Sequence, residues 1–193
     1  PRGLDIAVEM VQAAPPETRI SMASQVLFEY VEEVKKWELL AGYLLYDHTT
    51  STKSKSSSSK KVSSEEALKN AMAPEGKEET VLLEVLVTSV RLSLASGKQR
   101  GDGGDDDTVV HLANIMPRLL SKYGAEASTA VLVLRLSHSL PLDVFQQLRQ
   151  DATTFKRLLG DISSQFVRHV DRGVIAEATA ALLHARKYDE LRE

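Results

Sequence analysis

The sequence predicts an all-α protein, and three observations predict it. Apolar residues recur at three- and four-residue spacing through most of the chain. Aromatic residues make up only 5% of it, while Leu, Ala and Val are abundant. The glycines fall mostly between the periodic stretches, and no stretch shows the strict apolar–polar alternation of a half-buried strand.

Each element follows from its own pattern. Residues 4–13 carry Leu4, Ala7, Val8 and Val11 on one short helical face. Pro15-Pro16 ends that face and opens the next helix, because proline suits a first helical turn. Ile20, Ala23, Leu27, Tyr30, Val31 and Val34 then form an i, i+3/i+4 stripe, with Lys35-Lys36 at the negative end of the helix. A second stripe, Trp37, Leu40, Leu44 and Leu45, ends near Asp47-His48. Residues 49–64 are Ser/Thr/Lys of low complexity and are expected to be a disordered insert, since they bury too little surface to offset chain entropy. Ser63-x-x-Glu66 reads as a capping box for a weak helix to Met72.

Residues 80–95 are apolar nearly all round, so this helix is expected to lie between neighbours, with Gly97 ending it. A second insert, about 97–106, is expected to be a flexible acidic loop, with Asp106 or Asp107 capping the next helix. That helix carries Val109, Leu112, Ala113, Met116, Leu119 and Leu120; Pro117 is expected to kink or shorten it and Gly124 to stop it. Residues 127–136 and 142–150 predict short helices. A long one over 153–170 places Phe155, Leu158, Leu159, Ile162, Phe166 and Val170 inward. Asp171 is expected to cap a last helix whose inward residues are Val174, Ile175, Ala178, Ala181, Leu182 and Ala185. Eight or so helices in series, with pairs recurring at a rough spacing of 40 residues, suggest one repeat segment over 1–193: a HEAT-like helical solenoid, with a compact bundle as the alternative.

Composition narrows the chemistry. The chain has 193 residues and begins at Pro1, so it reads as a piece of something longer. It contains no cysteine, which removes disulfides and thiolate metal sites. No apolar run approaches the roughly 20 residues a membrane span requires. The net charge of −3 hides a local contrast: residues 48–62 hold Lys53, Lys55, Lys60 and Lys61 and no acid, whereas 108–193 hold eleven basic and nine acidic residues. No folded part is strongly basic, so wholesale coating of nucleic acid is not indicated. The lysine tract is read as an inert linker, with nonspecific DNA contact or phosphorylation as its other roles.

No catalytic constellation emerges, and no cofactor is implied. His48, His111, His138, His169 and His184 are scattered one per segment without His-x3-His spacing, and read as surface or helix-end residues. Glu32-Glu33 and Asp105-Asp106-Asp107 read as a solvated helix face and an acidic loop. The glycines at 101–104 do not follow a strand, so they are no phosphate-binding loop, and there is no Gly-x-Ser-x-Gly elbow. Arg100-Gly101-Asp102 is a chance tripeptide in a chain with no other extracellular sign. Trp37 lies on the inward stripe and is expected in the core, with Tyr43 and Tyr46 at an inter-repeat contact. The remaining signal is a set of cations near helix ends: Lys35, Lys36, Arg118, Lys122, Arg168 and Arg172. In a solenoid, helix ends form an edge where such residues can align against phosphates or an acidic peptide.

The wording of three stretches goes further. EYVEEVKKWELLAGYLLYDHT, then EETVLLEVLVTSVRLSL, then the run from PRLLSKYGAEAS through LDVFQQLRQDATTFKRLLGDISSQFVRHV to ATAALLHA resembles the cohesin stromal-antigen (SA/STAG) subunit, in a fungal form. The resemblance covers nearly the whole chain outside the two inserts. It implies a central slice of a large, curved HEAT-repeat protein of the nucleus, non-enzymatic, that binds the kleisin subunit of cohesin, contributes DNA contact and docks cohesin regulators. It implies no small-molecule substrate and no membrane. The family's regulator-docking surface lies N-terminal to this slice, so none of its residues is carried over. Asp47 and Lys122 match the family's wording without an assigned role.

Overall fold

A computed structural model describes residues 16–46, 74, 76–100, 104–140 and 152–186. The expected helices at 4–13, 63–72 and 142–150 and the insert at 49–64 lie outside the described residues. Within them there are eight helices and no strand: α1 Pro16–Tyr30, α2 Glu32–Lys35, α3 Trp37–Leu45, α4 Gly76–Arg100, α5 Gly104–Tyr123, α6 Ala127–Ser139, α7 Ala152–Arg168 and α8 Arg172–Arg186.

The helices sort into two layers. In one, α1 packs on α4, α4 on α6 and α6 on α8; in the other, α3 packs on α5 and α5 on α7. Neighbours within a layer run in the same direction. Trp37 at the start of α3 meets His111 with the rings tilted at 53°, and Leu44 near its end meets Lys122 and Tyr123. Likewise Arg135 and His138 of α6 meet Glu177 of α8, and Leu140 beyond α6 meets His184. Parallel neighbours in each of two layers, alternating along the chain, are the geometry of a stacked helical repeat. The solenoid reading holds.

Burial explains why each helix sits where it does. Residues 86–90 of α4 are buried on every side, as expected for a helix held between α1, α3, α5 and α6. One continuous core runs from Trp37, Ala41 and Leu44 through Leu86, Leu112, Met116 and Leu134 to Phe155, Val174 and Ala181. The Asp171 cap forms as expected: its Oδ1 accepts from the backbone N–H groups of Gly173 at 2.8 Å and Val174 at 3.1 Å.

Several expectations need correction. The first stripe does not run unbroken to Val34, because Val31 is extended (φ −117°, ψ 108°) and only the single turn of α2 follows. Leu27 and Tyr30 are exposed, Tyr30 at 70%. Ser24 is the buried residue of α1 instead, and Ser21 one turn before it is hydrogen-bonded to Thr88 of α4 at 3.3 Å. Gly97 does not end α4, which runs on to Arg100, and α5 begins at Gly104 rather than at an Asp106 or Asp107 cap; the helices thus enter the expected second insert from both sides. Pro117 does not shorten α5, which continues to Tyr123 with Pro117 buried, at the cost of the bond the Ala113 carbonyl would otherwise accept.

On α7, Phe155, Leu158 and Ile162 are core, but Phe166 is 42% exposed, and Val170 falls beyond the end of the helix, almost wholly in solvent. Gln165 takes the inward position instead. It does so because Gly124 leaves it room: a Cβ on Gly124 would stand 2.6 Å from the Gln165 Nε2. Gly124 also ends α5 as expected, and its carbonyl accepts a 2.7 Å bond from His169 Nε2.

Candidate functional site

The six cations nominated by sequence fall in separate surroundings. Lys35 forms a 2.6 Å pair with Glu32 one turn back, which holds the Glu32 carboxyl below its usual range. It also borders a recess between α1 and α4 lined by Phe28, Leu92 and Ser96. Lys36 is exposed at the break between α2 and α3. Arg168 and Arg172 flank the α7–α8 corner beside the exposed Val167 and Val170.

Arg118 and Lys122, one turn apart on α5, are brought together. Lys122 is committed to structure: its Nζ donates to the Leu44 carbonyl at 2.7 Å and the Tyr46 carbonyl at 3.0 Å. It thereby caps the C-terminal end of α3, where the helix dipole favours a cation. The Tyr123 hydroxyl donates to the same Leu44 carbonyl at 2.9 Å and lies 3.3 Å from Glu79 Oε1. Burial, reinforced by the Glu79 charge, holds the Tyr123 phenol well above its ordinary pKa.

Arg118 faces a recess of about 580 Å³ between α3 and α5, floored by Ala41, Leu45 and Ile115. An adjoining recess of about 340 Å³ shares Leu45 and Arg118 with it and is bordered by Lys122 and, from α7, Arg157. Sequence reasoning missed Arg157, as well as Glu38, Leu39, Gly42 and His111 around the larger recess. The signal for Arg157 exists only in three dimensions, because it requires the register of α7 against α5.

Three histidines hold helices together. His138 Nε2 meets the Glu177 carbonyl at 2.9 Å, His169 the Gly124 carbonyl at 2.7 Å and His184 the Leu140 carbonyl at 3.1 Å. Arg135 Nε adds a 3.0 Å bond to Glu177 Oε1. Among the described residues no three His, Asp or Glu side chains gather as a metal site would require. No described helix is long and apolar enough to cross a membrane. What the surface offers is grooves and helix edges.

Residues 26–190 match the family model described as the cohesin subunit SCC3/SA, HEAT-repeats domain. No curated protein and no solved structure matches the chain. The match runs from Val26 in α1 past the end of α8 and so takes in both helical layers. On that match the chain belongs to the SCC3/SA family of cohesin subunits.

Proposed function

We propose that the chain is a non-enzymatic scaffold segment of cohesin, acting in sister chromatid cohesion in the nucleus by binding the kleisin subunit and contributing to DNA association. The family match over residues 26–190 is the observation that carries this reading. Two layers of parallel helices support it, because a stacked repeat presents long continuous surfaces to a partner chain. Exposed Lys36, Arg118, Arg168 and Arg172 are the residues for DNA or kleisin contact; Lys35 and Lys122 stand beside them with their charges partly engaged.

Hydrogen exchange of the chain with and without the kleisin subunit tests the first part. Protection should appear on helix faces of the two layers, and its complete absence sinks kleisin binding at this segment. A salt titration with duplex DNA tests the second. Each phosphate contact contributes about −0.9 to the slope of log affinity against log salt. Reversing Lys36, Arg118, Arg168 and Arg172 should flatten that slope, while Lys122 is left intact because it caps α3. The alternative, a stand-alone DNA-binding module, requires strong DNA affinity from this chain alone, and its net charge of −3 argues against that.

A further inference from the structure

The joint between α3 and α5 carries a groove with a chemical direction. Because the two helices run in parallel, their starts and ends coincide. Trp37 and His111 lie with ring centroids 5.6 Å apart at one end, and Glu38 adjoins them. Arg118, Lys122 and Arg157 lie at the other. Between the ends, the floor is apolar. Leu39 stands on the rim with 69% of its surface exposed, and one turn on, a Cβ added to Gly42 would find no atom within 4 Å. The groove is thus acidic at its start, apolar and open in the middle, and cationic at its end.

We propose that this groove docks a short extended segment of another protein, in which a large apolar side chain is followed by acidic residues. The apolar side chain seats over Leu39, Gly42 and Ile115, and the acidic residues meet Arg118 and Arg157. Charge complementarity selects this occupant. The cationic end attracts carboxylates, while Glu38 at the opposite end repels a uniformly anionic ligand, so a nucleic acid backbone running the length of the groove is disfavoured. Spacing follows from the helix rise. Ile115 to Lys122 spans about 10 Å along α5, which an extended peptide covers in about three residues. The inference does not rest on the kleisin reading, because any segment with this order of chemistry meets the same groove.

The test uses the full chain and a fluorescein-labelled synthetic peptide. In it, one phenylalanine is followed about three positions later by two glutamates, in an otherwise Gly/Ser sequence. Two control peptides replace the phenylalanine by serine or the glutamates by lysine, and a short DNA duplex competes. Fluorescence anisotropy should show saturable binding of the parent peptide, with either control weaker by about tenfold or more. Gly42→Leu should fill the groove and weaken binding by a similar factor without lowering the melting temperature, since it replaces a helix-interior glycine in open space. The double variant Arg118→Glu/Arg157→Glu should lose the parent peptide and gain the lysine peptide. Absence of saturable binding up to about 1 mM, equal binding of all three peptides, or indifference to Gly42→Leu overturns the proposal. So does duplex binding that the peptide cannot displace and that the double variant alone abolishes, which would assign these cations to nucleic acid.

Discussion

Two joints between parallel helices, one in each layer, are built on the same plan and end differently. In both, a cationic or imidazole side chain of the later helix bonds a carbonyl at the C-terminal end of the earlier one: Lys122 to Leu44 where α5 meets α3, and His184 to Leu140 where α8 meets α6. At the α6–α8 joint the two helices come close at a glycine. A Cβ on Gly173 would stand 3.3 Å from a Val131 methyl, and Ala178, Ala181 and Ala185 are buried on α8. The α3–α5 joint is spanned by Trp37 and His111 at one end and by Lys122 and Tyr123 at the other, and between them a groove remains. The lesson is that side-chain size sets how closely neighbouring repeats approach. A repeat scaffold gains a binding groove by holding a joint open at its ends rather than by adding an element.

The largest expected effect tests the core on which both joints rest. Phe155→Ala should cost about 3–5 kcal/mol in denaturant unfolding, because Phe155 is buried and α7 closes only partly over the gap. Phe166→Ala should cost less than about 1 kcal/mol, since that ring is half in solvent. Equal losses would mean that the inward face of α7 is misassigned. Next in size, Ala178→Leu should destabilise by about 1–3 kcal/mol through overpacking of the core beside the α6–α8 joint. A neutral result would show that this joint has slack and would remove the contrast.

Lys122→Met should cost about 1 kcal/mol by uncapping α3, and hydrogen exchange should quicken near Leu44 and Tyr46 specifically. Unchanged exchange there would mean the lysine serves a ligand rather than the helix end. Gly42→Ala, in the open joint, should gain about 0.5–1 kcal/mol from helix propensity.

The smallest effect concerns pH. The Tyr123 pKa is raised in the folded state, so folding favours its neutral form. Its contribution is fully present below the unfolded tyrosine pKa of about 10 and is lost as pH rises beyond it. Stability should therefore fall from about pH 10 upward, and Tyr123→Phe should show a shallower alkaline decline. Parallel declines in the two proteins would mean that the buried phenol does not contribute.

Much of this fold was legible along the chain because local patterns carry it. The spacing of Trp37 and Leu44, the all-round apolarity of α4, the Asp171 cap and the Gly124 stop each depend on residues within a few turns of one another, and each stands in the structure. The stripes went wrong where a neighbour decided the face. Phe166 lost its inward place to Gln165 because a glycine just past the end of another helix made room for an amide, and Leu27 yielded to Ser24 on a helix whose Ser21 bonds Thr88 of α4.

The candidate site divides in the same way. Sequence alone nominates Arg118 and Lys122 as cations near a helix end. Only the tertiary structure assigns Lys122 to the end of α3, brings Arg157 beside Arg118 and opens the groove between Glu38 and those arginines. Helix period is a property of the local chain and is written in residue order. The register and separation of two helices are set by which side chains meet across the gap, and residue order does not contain those meetings.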